Sequence, residues 1–325
     1  MIGYYAHHVG QGHVHRAAAI AEHLPGPVTI LSSLPPPTGW RQDWVQLARD
    51  DAAPDPEDPT ANGTLHWAPL HEAGLRDRMA AIAAWIRHTE PIVLVSDVSV
   101  EVALLARLMG IPVVVIALPG TREDCAHQLG YDIADAILAP WPRLATDICR
   151  GLEAHARKVH HVGGFSRFDG TKRPPRADRA TGRTVLALRG AGGGDHTAMR
   201  PPAVPGWRWI SCGPGRWVDD PWPALCAADV VYSSCGLGAL SDVAAARRPA
   251  VLVPEPRPHD EQCSTAHALA RAGLAIVLDH EPSPTEWPRV LDRAAQLDGN
   301  RWSIWSSGTA AADAAGVIMS AARAS

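Results

Sequence analysis

The chain has 325 residues, a formal net charge of −4, 46% hydrophobic and 20% charged residues. That is the balance of a globular protein, too long for one ordinary core and suited to two domains. The weakly acidic charge gives no footprint for nucleic acid, and no apolar run approaches the ~18 residues of a membrane-crossing helix. Residues 2–5 read as a strand that follows Met1 directly, with no basic or apolar leader, so a cytoplasmic protein is expected. The glycine loop GQGH (10–13) follows, then a helix over 14–24 and a strand over 28–31. The acid- and proline-rich stretch 50–63 is expected to be a surface loop.

Residues 75–88 form an amphipathic helix with Leu75, Met79, Ile82 and Ile86 on one face and Arg76, Arg78 and Arg87 around it. Such a helix covers a parallel sheet, or docks peripherally on an anionic membrane. A buried-type strand over 92–96 ends at Asp97, a helix over 102–109 is stopped by Gly110, and a strand over 112–116 follows. A strand over 136–138 leads to a helix and then to an extended segment, 159–164. The polar, proline-bearing stretch after it reads as a linker. The rhythm restarts with a strand at 184–190 and the glycine loop AGGG (191–194), then strands near 209–210, 229–232, 250–253 and 275–278, and a helix over 308–323. Strand–helix alternation of this kind predicts an α/β protein of two Rossmann-like domains with ligands at the carboxyl ends of the strands. The expected division is 1–162, a linker over 163–183, 184–307, and a C-terminal helix over 308–325. Six scattered cysteines without a CxxC pair read as reduced thiols.

The densest chemistry lies in residues 233–262, SSCGLGALSDVAAARRPAVLVPEPRPHDEQ. A strand runs into a glycine turn (Gly236, Gly238) that opens a helix, so free backbone N–H groups and the positive end of the dipole converge where a diphosphate would sit. Ser233 and Ser234 add hydroxyls. Asp242, six residues past Gly236, suits ribose hydroxyls, and Glu261 and Gln262, in a loop after the next strand, suit those of a sugar.

At these residues, and at 266–278 read as a further helix, the chain resembles the glycosyltransferase family 28 C-terminal domain. The family's acidic ribose ligand falls on Asp242, where Glu is usual, and its sugar-contacting pair falls on Glu261 and Gln262. Thr265 stands where the family has asparagine. The resemblance implies the glycosyltransferase B fold, with the donor on the second domain, the acceptor on the first, and Gly192 and Gly193 facing the donor phosphates. It extends to HHVGQGHVHR (7–16), where Gly10 and Gly12 form an acceptor loop and His13 opens the first helix. Related transferases use a histidine there to deprotonate the acceptor, oriented by an aspartate at a later strand end, which matches Asp97.

The expected activity is transfer of a sugar from a nucleoside-diphosphate sugar, UDP-sugar foremost, to a polyprenyl-linked or small-molecule hydroxyl, inverting and without cofactor. Hydrolysis of the nucleotide sugar by water activated at His13, and nucleotide-sugar binding without catalysis, are the alternatives. No metal is expected: His7 and His8 would point to opposite faces if the first strand continued, and no cysteine or carboxylate accompanies them at ligand spacing.

Overall fold

The computed structural model describes residues 1–51, 54–174, 182–190 and 202–324. Its first half carries β1 (Ile2–Ala6), α1 (Gly12–Ala21), β2 (Val28–Ser32), β3 (Asp43–Gln46), α2 (Ala73–Thr89), β4 (Val93–Asp97), α3 (Val100–Leu108), β5 (Val113–Ile116), β6 (Gly120–Thr121), α4 (Cys125–Ile133), β7 (Ala136–Ala139), β8 (Cys149–Arg150) and β9 (Val159–His161). The second half carries β10 (Arg183–Leu188), β11 (Trp207–Cys212), α5 (Trp222–Ala227), β12 (Val230–Ser233), α6 (Leu237–Ala246), β13 (Ala250–Leu252), α7 (Glu261–Arg271), β14 (Ile276–Val277), α8 (Trp287–Ala294) and α9 (Ala310–Ala324). Two separate parallel sheets result, ordered β3-β2-β1-β4-β5-β7-β9 and β11-β10-β12-β13-β14, with β6 and β8 as a small ladder beside them. Both orders are doubly wound and reverse once, between β1 and β4 in the first and between β10 and β12 in the second.

The strands are continuous apolar runs because helices cover both faces of each sheet. Alternation sends Ile2, Tyr4, Val93 and Val95 to the layer under α1, and Tyr5, Leu31 and Leu94 to the layer under α2 and α3. In the second sheet Val185, Val230, Tyr232 and Val251 face α8. Leu186, Leu188 and Val231 face a cluster that continues without a break into Ile137, Ala139 and Trp141 of the first half. The last helix crosses back: Ala311, Ala314, Ala315 and Ile318 of α9 pack with α1 and the first sheet.

Several expectations change. β3 lies inside what reads as an irregular stretch, because DWVQ is a half-exposed edge strand with no apolar run. The helix expected between β7 and β9 is instead a pair of short 3₁₀ segments, Arg143–Ile148 and Glu153–His155, separated at Gly151, whose φ of +102° no other residue adopts easily. Residues 266–278 are not one helix, since α7 ends at Arg271, Gly273 turns at φ +61°, and β14 follows. Two helices missing from the expected elements, α5 and α8, both open on Trp-Pro, with proline in the first turn where no N–H is needed; α8 buries Trp287, Val290, Leu291 and Ala294, an i, i+3, i+4, i+7 spacing that marks it in the sequence. The apolar face of α2 is not available to a membrane. Ile82 and Ile86 are buried against the sheet, and Arg78 points inward to the Asp50 carboxylate, the Ala48 carbonyl and the Tyr5 hydroxyl. No described helix is long and apolar enough to cross a bilayer.

Ile318 is fully buried in the core of the first half, away from the α8 and β14 that precede its helix in sequence. Ile318→Ala should therefore destabilise the first half by about 2–5 kcal/mol, read as a lowered urea midpoint. A surface residue would change it by less than about 0.5 kcal/mol.

Candidate active site

The first site is built at the reversal between β1 and β4. Register pairs Ala6 with Asp97, so the carboxyl ends of the two strands lie side by side. The chain leaves β1 through His7 and His8, turns at Gly10 with φ +80°, and enters α1 at Gly12. His13 and Arg16 are thus in the first turns of a helix that starts over the end of β4. Asp97 does not cap the helix after it; Ser99 does, its hydroxyl accepting from the Val102 N–H at 3.1 Å. Asp97 is completely buried and turned to the first site. The backbone beyond it is strained: Val98, β-branched, sits at φ +72°.

The Asp97 carboxylate is held on both oxygens. His13 Nδ1 lies 2.9 Å from Oδ1, Arg16 Nη2 donates to Oδ1 at 3.0 Å and Nε to Oδ2 at 2.9 Å, and the Tyr4 hydroxyl donates to Oδ2 at 2.9 Å. Burial alone would raise this carboxyl, but the Arg16 charge and His13 outweigh it and hold it well below the usual carboxylate range. Since Arg16 Nη2 and His13 Nδ1 both aim at Oδ1, their own 3.2 Å approach is that of two donors sharing one acceptor. Nδ1 therefore carries a proton, and whenever the ring is neutral Nε2 is left with the free lone pair. The His13 side chain is 16% exposed, enough for Nε2 to meet a small group.

His7 and His8 do not point apart, because β1 ends at Ala6. Their rings stack at 4.6 Å, with His7 edge-on to His13 at 6.0 Å. Burial, then the neighbouring His13 and His8, push His7 down to about 3, so it stays neutral beside the site.

The second site lies at the other reversal, between β10 and β12. Ser233 ends β12, and its hydroxyl donates to the Leu188 carbonyl at 2.7 Å, tying the two strands together. Ser234 and Cys235 lead to Gly236, the N-cap of α6, which has no side-chain cap. Gly236 and Gly238 have nothing within 4 Å of where a Cβ would stand. Gly236 keeps an ordinary φ of −70°, so what glycine supplies is bare access to the helix N-terminus. Glu261 and Gln262 are not in a loop but open α7. Gln262 Oε1 accepts from the N–H groups of Cys235 and Glu255, each at 2.9 Å, bracing the turn before α6 against the loop after β13. Glu261 reaches toward the first half, 3.8 Å from Arg122.

Asp242 lies in the second turn of α6 and faces the chain crossing between the halves. The Ser166 hydroxyl donates to it at 2.8 Å and Arg167 lies at 3.4 Å. Gly192 and Gly193 lie outside the described residues. His13 and Asp97 are thus brought into contact, Ser233, Ser234, Gly236 and Gly238 lie where β12 turns into α6, and the Gln262 side chain braces that turn from α7. Tyr4 and Arg16 escaped the sequence reading because a tyrosine in a strand and an arginine in a helix carry no mark of what they bind. The i, i+3 spacing of His13 and Arg16 is the one signal that was present.

No protein-family profile matches the chain. It is 27% identical over 321 residues, covering 86% of this chain and 83% of the relative, to the UDP-N-acetylglucosamine--N-acetylmuramyl-(pentapeptide) pyrophosphoryl-undecaprenol N-acetylglucosamine transferase of Paenarthrobacter aurescens. Among solved structures it is similar to the glycotransferase of kitacinnamycin, with a TM-score of 0.67 at 17% identity and 98% of each chain covered. The MurG of Acinetobacter baumannii matches with a TM-score of 0.63 at 17% identity, over 98% of this chain and 99% of that one. Spinosyn rhamnosyltransferase complexed with thymidine diphosphate matches at 0.58 and 15%, over 98% and 96%. Two doubly wound sheets with a site at each reversal, and these likenesses, define a glycosyltransferase of the B fold. The sequence relative is consistent with the family 28 resemblance noted in the sequence.

Burial, opposed by Arg167, pushes Asp242 up to about 6 from 3.8. The folded state then holds this proton more tightly than the unfolded chain, so its stabilising contribution is complete below pH ~4 and is lost as pH rises through about 6. Denaturation at pH 4 and pH 7 should show the wild type losing roughly 2–3 kcal/mol relative to Asp242→Asn over that interval. Parallel curves for the two proteins would show an Asp242 that titrates normally.

Proposed function

We propose that the protein moves a sugar from a nucleoside-diphosphate donor, a UDP-sugar foremost, to an acceptor hydroxyl on a polyprenyl-linked or small molecule. The observation that carries the reading is the His13–Asp97 pair, an imidazole with one nitrogen fixed by a buried carboxylate and the other open at the strand ends. His13 Nε2 takes the acceptor's proton as its oxygen bonds the anomeric carbon. The bond from that carbon to the diphosphate oxygen breaks on the opposite side, so the configuration inverts. The departing diphosphate, which carries away the bond's electron pair, is stabilised at the N-terminus of α6, where unpaired N–H groups and the dipole meet developing negative charge. Asp97 keeps Nδ1–H in place and balances the imidazolium that forms. In this reading residues 1–162 bind the acceptor, 184–307 bind the donor, 163–183 link them, and 308–325 return to the first domain. Ser234 adds a hydroxyl at the phosphates, and Glu261, beside Gln262, is the group available to the donor sugar. The carboxylate of Asp242, engaged by Ser166 and Arg167, reaches a ribose only by exchanging those partners.

His13→Ala should cut turnover by roughly 10²–10⁴ and leave UDP affinity within about two-fold, because the donor sits on the other sheet. Steady-state rates with calorimetric UDP binding check both. Donor consumption with acceptor left out, at the full rate, would make water the acceptor and the protein a hydrolase.

Gly238→Asp places a negative charge in the first turn of α6, where like charge opposes a diphosphate. UDP binding should weaken by more than about ten-fold while melting changes little, since the position is open. Equal affinity for UDP in this variant would move the diphosphate away from α6.

A further inference from the structure

Three imidazoles from distant parts of the chain meet where the two halves touch. His66 comes from the loop before α2, His127 from the first turn of α4, and His259 from the 3₁₀ turn Pro258–Asp260 that follows β13. Ring centroids lie 4.0 Å apart for His66 and His127, 5.0 Å for His127 and His259, and 6.0 Å for His66 and His259. One nitrogen of each ring lies within 4.8 Å of the others. The Asp124 carboxylate faces the same point, Oδ1 3.4 Å from His66 Nε2, Oδ2 2.6 Å from His127 Nδ1 and 4.0 Å from His259 Nδ1, and His66 Nε2 stands 3.0 Å from His127 Nδ1.

The second half delivers His259 to this point under strain. His259 and Asp260 are consecutive non-glycine residues in the left-handed region, at φ +60° and +56°. The His259 carbonyl presses so closely on Gly120 of the first half that a Cβ there would lie 2.1 Å from it. Such a conformation persists only where its surroundings over-determine it.

We propose that His66, His127 and His259, with Asp124 as fourth ligand, bind a divalent transition ion of the zinc class that clasps the two halves together. Three imidazole nitrogens and one carboxylate oxygen are a donor set for Zn²⁺ or Co²⁺ rather than for the oxygen-seeking Mg²⁺ and Ca²⁺. Bonds of about 2.0–2.1 Å put tetrahedral ligand atoms about 3.3 Å apart. The 3.0 Å between His66 Nε2 and His127 Nδ1 is close to this; with Asp124 Oδ2 as the ligand oxygen, its 2.6 Å to His127 must open and its 4.0 Å to His259 close by less than an ångström each. The ion takes no part in bond making, which stays with His13 and α6, but it holds the segment from which Glu261 and Gln262 arise.

One neighbour opposes the ion. Arg122 Nη1 lies 3.1 Å from His127 Nε2, and a metal on Nδ1 leaves the ring proton on Nε2, facing that guanidinium. Arg122 therefore limits the affinity, and Glu261 at 3.8 Å offsets only part of its charge. Its removal should tighten binding, an outcome a site elsewhere would not produce.

The test is a titration of the chelator-stripped full chain with Co²⁺, followed by its visible absorption, and with Zn²⁺ by calorimetry. One equivalent should bind with the intense spectrum of tetrahedral Co²⁺ and raise the melting temperature. His66→Gln and His259→Asn should each weaken binding by more than the ten- to hundred-fold cost of losing an outer partner; asparagine tolerates the left-handed backbone, so the fold survives the second change. Arg122→Met should strengthen binding. His8→Ala, in the separate group His8, Asp50 and Asp51, should leave it unchanged. Absence of a one-equivalent tetrahedral spectrum, wild-type affinity in His66→Gln or His259→Asn, or loss of binding in His8→Ala would each overturn the proposal. None of these readouts depends on sugar transfer, so the clasp can fail while the transferase reading stands.

Discussion

The first half is organised around one buried carboxylate. Asp97 has no access to water, and its two oxygens take four hydrogen bonds from Tyr4 in β1 and from His13 and Arg16 in α1. A buried ion pair contributes little net stability against a well-packed apolar alternative, but removing one partner leaves an uncompensated charge and costs about 3–5 kcal/mol. The charge pair therefore specifies geometry. With both oxygens occupied, the angle of α1 over the strand ends and the orientation of the His13 ring are set together. The left-handed Val98 next to it is a local strain that this network holds in place.

The second constraint is the seam. The chain crosses out of the first half at Gly163 and Gly164 and approaches its return crossing at Trp305 and Ser306. The two crossings are bonded to each other, Gly164 N–H donating to the Trp305 carbonyl at 3.0 Å and the Ser306 hydroxyl to the Gly164 carbonyl at 2.9 Å. Gly163, at φ +84° and against the Trp305 carbonyl, and Gly164, whose Cβ would meet the Trp305 ring and the Ser241 hydroxyl, leave no room for a side chain. Because Asp242 bonds to Ser166 just beyond, the crossing also reaches α6. A change in how the halves sit would be felt at α6 first.

The strand–helix rhythm carries the architecture because parallel strands buried on both faces are written as apolar runs that a reader can find. β1, β4, β5 and β12 are of this kind. β3 is half-exposed, α5 is only six residues long, and the 3₁₀ segments around Gly151 replace a helix expected between β7 and β9; none of these has a periodic signature, whereas α8, with Trp287, Val290, Leu291 and Ala294 on one face, does. The His13–Asp97 contact could be foreseen because Asp97 ends β4 and His13 opens the helix that follows the adjacent β1, so both fall at the carboxyl ends of neighbouring strands in a doubly wound sheet. Arg16, Tyr4 and the histidines at 66, 127 and 259 could not, since their meeting depends on the packing of α1 in one case and on the docking of the two halves in the other. Asp242 and Gln262 show the reverse limit: spacing put them beside the Gly236 turn, but not the orientation that gives one to Ser166 and Arg167 and the other to the backbone of Cys235 and Glu255.

The central claim is that Asp97 fixes His13 with its proton on Nδ1 and Nε2 open. Nitrogen-15 NMR of the protein labelled at histidine reads this directly, since the two ring nitrogens of a neutral imidazole have distinct shifts according to which is protonated. The account predicts Nδ1 of His13 protonated, its Nδ1 proton shifted strongly downfield by the short bond to the carboxylate, and loss of that signature in Asp97→Asn. A His13 ring that carries its proton on Nε2 in the wild type would contradict it.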